Sequence, residues 1–99
     1  MRTKTLYIEA MAELSRLKAR PAGGLLAPLA SEQTAAGVTP SDLATRLDAS
    51  IAWLGEWLPY PSRDDPTRRQ RVGRLIKDGK SVRMLVIHGA EGYDIALSG

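Results

Sequence analysis

The segment from Pro66 to Arg83, PTRRQRVGRLIKDGKSVR, constrains this chain more than any other part of it. It concentrates seven cations, Arg68, Arg69, Arg71, Arg74, Lys77, Lys80 and Arg83, against one acid, Asp78. Asp65 in a capping position and Pro66 at a first helical position predict a helix over 66–78. Val72, Leu75 and Ile76 cluster on one side of that helix and face a core. Gln70, Gly73, Arg74 and Lys77 lie opposite, with Arg69 and Arg71 on the flanks. Asp78-Gly79 ends the helix. Ser81 to His88 is β-branched and apolar, as a strand requires. Gly89-Ala90-Glu91-Gly92 then forms a loop, and Tyr93, Ile95 and Leu97 alternate along a second strand. A basic helix thus runs into a β-hairpin.

Upstream of it, residues 4–19 read as an amphipathic helix through Tyr7, Ala10, Met11, Leu14 and Leu17, which recur at three- and four-residue steps. Pro21-Ala22-Gly23-Gly24 breaks it. A second helix is expected over 24–36, striped by Leu25, Leu26 and Leu29 and stopped at Gly37. The next start is signalled by Thr39 as cap, Pro40 at the first helical position and Asp42 three residues beyond the cap. Leu43, Leu47, Ile51, Leu54 and Leu58 then follow at helical spacing, which allows one unbroken helix from 40 to 58. Pro59-Tyr60-Pro61 ends any helix there.

Length and charge narrow the field. Ninety-nine residues make one domain. It divides into an N-terminal helix (1–20), a helical core (24–78) and a hairpin (81–97). The net charge of +3 is mild, but its distribution is uneven. Residues 61–83 carry eight cations against three acids, whereas residues 21–60 carry Arg46 against Glu32, Asp42, Asp48 and Glu56. A polyanion is attracted to the first region and repelled by the second.

The chain has no cysteine and one histidine, His88. Thiol chemistry and thiolate metal sites are excluded. No metal, cofactor or enzymatic activity is expected. Gly79-Lys80-Ser81 echoes the end of a phosphate-binding loop, but Arg74 stands where the loop's first glycine belongs. The apolar runs are too short to cross a bilayer, and Arg2, Lys4, Glu9 and Glu13 interrupt the N-terminal segment where a signal peptide would be apolar. A cytoplasmic location with no membrane partner is the expectation.

Residues 43–58 resemble a helix-turn-helix, with Ala44 as the small residue of the first helix, Asp48 in the turn, Ser50 as cap and Leu54 as apolar anchor. With the basic helix and the Gly92-Tyr93-Asp94-Ile95 strand added, residues 38–97 resemble a winged helix-turn-helix. That resemblance implies an α+β fold of four to five helices followed by a C-terminal β-hairpin. It also implies a sequence-specific binder of double-stranded DNA: a small transcriptional regulator such as a repressor, or a mobile-element accessory factor, acting as a homodimer. The 66–78 helix would enter the major groove with Gln70, Arg74 and Lys77 near bases. Arg63, Arg68, Arg69, Arg71, Lys80 and Arg83 would rest on phosphates. Trp53 and Trp57, four apart on one helix face, extend the core or form a partner interface. The second expectation is therefore a winged-helix adaptor that docks a protein through the Trp53/Trp57 face. A single-strand RNA binder ranks below both, for want of clustered exposed aromatics.

Overall fold

The computed structural model describes residues 2–17, 31–33, 38–90 and 92–98. The chain forms helix α1 (Arg2–Leu17), strand β1 (Ser31–Gln33), helix α2 (Pro40–Leu47), and strands β2 (Ser50–Trp53), β3 (Leu58–Pro59), β4 (Arg69–Lys77), β5 (Lys80–Gly89) and β6 (Gly92–Ser98). All six strands join one antiparallel sheet in the order β1-β6-β5-β4-β2, with β3 also paired to β4. The two described helices and this sheet replace the expected array of four to five helices with an appended hairpin.

The largest correction falls on the basic segment. Residues 69–77 are a strand, and the supposed reading helix does not exist. The physical reason lies next to it. Lys77 pairs with Lys80, so Asp78-Gly79 is a two-residue hairpin turn, with φ of 51° and 76°. Those values are the left-handed pair that a tight hairpin turn requires, and Asp-Gly is among the sequences that supply it. The same dipeptide also suits a helix end, but here it folds β4 back onto β5 over nine consecutive residue pairs, from Arg69↔His88 to Lys77↔Lys80. Val72 and Ile76 then point to one face and Leu75 to the other.

The continuous helix over 40–58 is likewise overturned. α2 starts as its sequence demands: the Thr39 side chain accepts from Asp42 N, and the Asp42 carboxylate accepts from Thr39 N at 2.7 Å. It ends at Leu47 because Asp48 takes a left-handed conformation (φ 56°) and closes the helix. Asp48 is thus the positive-φ turn residue expected, but Ser50 opens a strand instead of capping a second helix. Ile51 pairs with Leu75 and Trp53 with Gly73. Of the helix expected over 24–36, residues 31–33 form β1 beside β6. Its remainder, and the break at 21–24, lie outside the described residues.

Ser81–His88 and Tyr93–Leu97 do lie in strands, β5 and β6, but as interior strands of the sheet, not as a free wing. Their alternation selects the core. Val82, Met84 and Val86 of β5, Ile95 and Leu97 of β6 and Leu75 of β4 meet Leu6, Ala10 and Leu14 of α1 and Leu43, Ala44 and Leu47 of α2. Glu13 joins the helices by pairing with Arg16 (3.7 Å) and Arg46 (3.6 Å). Lys77 at the turn end of β4 pairs with Glu9 of α1 at 3.6 Å.

Candidate functional site

Strand parity sorts the sequence-expected contacts onto opposite faces of the sheet. Arg69, Arg71, Gly73, Leu75 and Lys77 share the face that carries the helices, and Gln70, Val72, Arg74 and Ile76 share the other. The expected reading surface of Gln70, Arg74 and Lys77 is therefore split. Gln70 donates its side-chain amide to the Pro59 carbonyl (3.0 Å). Arg74 reaches Ser81 Oγ at 3.3 Å and stands directly across from Arg83. Lys77 is engaged by Glu9. Lys80 flanks the turn, Arg63 is exposed in the loop after β3, and Arg68 is half-buried.

What the fold does bring together is an arginine–aromatic cluster at the end of the helix-bearing face away from the Asp78-Gly79 turn. Arg69, His88 and Tyr93 form one row across β4, β5 and β6. The rings of His88 and Tyr93 stack at 4.1 Å, 5° from parallel. Trp57 continues the series 6.1 Å from His88, and Trp53 lies 6.4 Å from Trp57. The Arg69 guanidinium sits over the Trp57 ring at 4.7 Å, and that of Arg71 over the Trp53 ring at 4.6 Å. These are cation–π distances, and a guanidinium also stacks on an indole through its plane.

The edge of the sheet makes this cluster possible. Between Trp53↔Gly73 and Leu58↔Gln70, four residues (54–57) stand against two (71 and 72). This irregular bulge, a device that re-aims side chains, carries Trp57 toward Arg69 and His88. Arg71 holds the bulge by donating Nε–H to the Gly55 carbonyl at 2.7 Å. Gly73 is the seat of Trp53: a Cβ there would come within 2.9 Å of the Trp53 ring and 3.2 Å of the Ala52 carbonyl. The two tryptophans are neighbours, then, but not for the helical reason expected. Sequence reasoning passed over Tyr93 and the pairing of arginines with tryptophans. The signal was the step of two between Arg69 and Arg71, which puts both on one face of a strand.

The electrostatics favour a cationic surface over an uncharged ring platform. Among the described residues, Arg69 and Arg71 form no ion pair with a carboxylate. Partial burial and the neighbouring Arg69 charge lower the His88 pKa below its ordinary 6.5, against an opposing pull from Asp65. His88 therefore stacks on Tyr93 as a neutral ring at pH 7. Asp65 is occupied locally. Its carboxylate accepts from the Thr67 hydroxyl, from Thr67 N at 3.0 Å and from Ala90 N at 2.7 Å, which ties the 60–68 loop to the β5–β6 turn. Those bonds, led by the Thr67 hydroxyl, lower its pKa from 3.8. A depressed carboxyl pKa stabilises the fold fully above the unfolded value and loses that contribution as pH falls through the folded value. Asp65→Asn is accordingly expected to lower Tm at pH 7, and the gap to the parent should close as the medium is acidified below 3.8. Thermal melts at a series of pH values check this. A gap that persists undiminished in acid contradicts it.

No described helix is long and apolar enough to cross a membrane. The chain matches no known protein family, no curated protein and no solved structure.

Proposed function

We propose that this chain binds nucleic acid through the arginine–aromatic face formed by Trp53, Trp57, Arg69, Arg71, His88 and Tyr93. One observation carries the proposal. Two arginines with no described carboxylate partner lie over the two tryptophans of the chain, on a single sheet face. Guanidinium groups held in this way supply charge for phosphates and flat surfaces for bases. The vehicle differs from the expected one. A strand pair whose side chains lie across a sheet replaces the major-groove helix, so the double-stranded DNA expectation becomes one ligand to be compared with others. An adaptor docking a protein on bare tryptophan fits less well, because cations cover both indoles.

The test is fluorescence anisotropy of labelled oligonucleotides titrated with the chain between about 50 and about 200 mM salt. Binding that weakens steeply with salt is expected, because each phosphate neutralised releases bound counterions. No binding at the lowest salt, or binding indifferent to salt, contradicts the proposal.

A further inference from the structure

We infer that the nucleic acid taken by this face is single-stranded, and that an unpaired base stacks on the guanidinium plane of Arg69, which itself lies on Trp57. This inference rests on the nucleic-acid reading above and specifies its ligand.

Three observations support it. The first is relief. Bases in a duplex are reached through grooves, by an inserted helix or a two-stranded ribbon. The cluster lies across the sheet; the Asp78-Gly79 turn stands at the opposite end of β4, and the β5–β6 turn beside the cluster, residues 90–91, has no cation in its sequence. Unpaired bases need no projection, since each can lay its own flat face on a platform.

The second is the layered geometry. Arg69 is exposed while Trp57 beneath it is half-buried, so the outermost flat group of that stack is the guanidinium. Guanidinium planes accept unpaired bases as aromatic rings do. Arg71 differs: it is half-buried, and its Nε is committed to the Gly55 carbonyl. Arg69 is therefore the stacking residue, and Arg71 is the one that fixes the bulge and adds charge.

The third is the aromatic row beside Arg69. Trp57 lies 6.1 Å from His88 with the rings tilted by 50°, and His88 stacks on Tyr93 at 4.1 Å, so beyond Arg69 the row presents ring edges. His88 is neutral, so this part of the row offers aromatic surface without further phosphate attraction. A strand crossing it meets charge at Arg69 and ring edges beyond.

Tryptophan fluorescence is the direct measurement, because both tryptophans of the chain lie in the site. Four probes of equal length, about 12 nucleotides, suit a small single-strand site: an oligothymidylate, an oligouridylate, an abasic strand with the same phosphates, and a duplex. The base-bearing strands are expected to quench tryptophan emission and to bind at least about fivefold tighter than the abasic strand, the effect of one stacked base. The tighter of the two assigns DNA or RNA. Arg69→Lys keeps the charge but removes the plane, and should bring the ratio of base-bearing to abasic affinity close to one. Equal affinity for base-bearing and abasic strands overturns the inference, as does tighter binding of the duplex. Either result leaves the nucleic-acid reading standing. Failure of all four probes to bind overturns both. An Arg69→Lys chain that keeps the full ratio removes Arg69 from the stacking role.

Discussion

Gly73→Val is expected to destabilise the fold by about 1–3 kcal/mol, the usual cost of forcing extra atoms into a packed site. The first carbon added at Gly73 already meets the Trp53 ring at 2.9 Å and a backbone carbonyl at 3.2 Å. Neither yields easily. The carbonyl belongs to β2, whose register with β4 fixes it. The ring is packed against the core and covered by Arg71. Gly73→Ala should err in the same direction. The sign is what matters. Had residues 66–78 been a helix with Gly73 on its outer face, alanine would have stabilised it by about 1 kcal/mol. Urea denaturation of the two variants separates these outcomes, and a stabilised Gly73→Ala chain would argue against the strand. The substitution should also weaken nucleic-acid binding, since displacing Trp53 removes the ring on which Arg71 rests.

The second large effect concerns the ligand. Arg69→Ala combined with Arg71→Ala is expected to weaken oligonucleotide binding about 100-fold at low salt. A hydrogen bond to a charged group contributes about 1.5–3 kcal/mol, and each 1.4 kcal/mol is tenfold in affinity. The dependence of log affinity on log salt should become shallower by about one to two units. Arg74→Ala with Arg83→Ala is the matched control. That pair removes the same charge from the opposite face, where the two arginines stand directly across from each other, and should cost less than about threefold if long-range attraction is its only contribution. Anisotropy titrations of both double variants check this. Equal losses would place binding on overall charge and not on the aromatic cluster.

The elements that were legible in the sequence are those set by neighbours a few residues apart. The start of α2 is written in Thr39, Pro40 and Asp42, and its end in Asp48, because capping bonds and left-handed closure are local. The β5–β6 pair is legible because Ser81 to His88 is β-branched and apolar and Tyr93, Ile95 and Leu97 recur at a strand's step of two. In α1 the apolar face is legible, although its centre runs through Leu6, Ala10 and Leu14, while Tyr7 and Met11 are only partly buried.

The strands β2 and β4 were not legible, for a shared reason. Ile51, Leu54 and Leu58, like Val72, Leu75 and Ile76, recur at a helical period and break a strand's: Val72 and Ile76 lie on one face of β4 and Leu75 on the other. β4 also lacks a clean apolar face: Arg69, Arg71 and Lys77 lie on the same side as buried Leu75. That side is only partly core, because beyond Gly73 it becomes the aromatic cluster. The residues that blurred the strand pattern are thus the ones that form the candidate site. Conflict between local pattern and global fold is expected where function departs from packing. Asp78-Gly79 was the strongest available sign of a hairpin, and it is a helix terminator only if the residues before it are already taken as helical. The ranking of a single-strand RNA binder below the other readings, for want of clustered exposed aromatics, came from their scatter in sequence. Trp53, Trp57, His88 and Tyr93 lie on three separate stretches, and only the sheet register and the 54–57 bulge assemble them.

The measurement that bears most directly on the binding face is a nuclear magnetic resonance titration of the isotopically labelled chain with an oligothymidylate, following side-chain signals. The indole Nε1–H resonances of Trp53 and Trp57 and the Nε–H resonances of Arg69 and Arg71 should shift progressively and saturate together. Those of Arg74 and Arg83, on the opposite face, should stay in place. Shifts confined to Arg74 and Arg83, or no shift at concentrations where anisotropy reports binding, would contradict the assignment of nucleic-acid binding to the arginine–aromatic face.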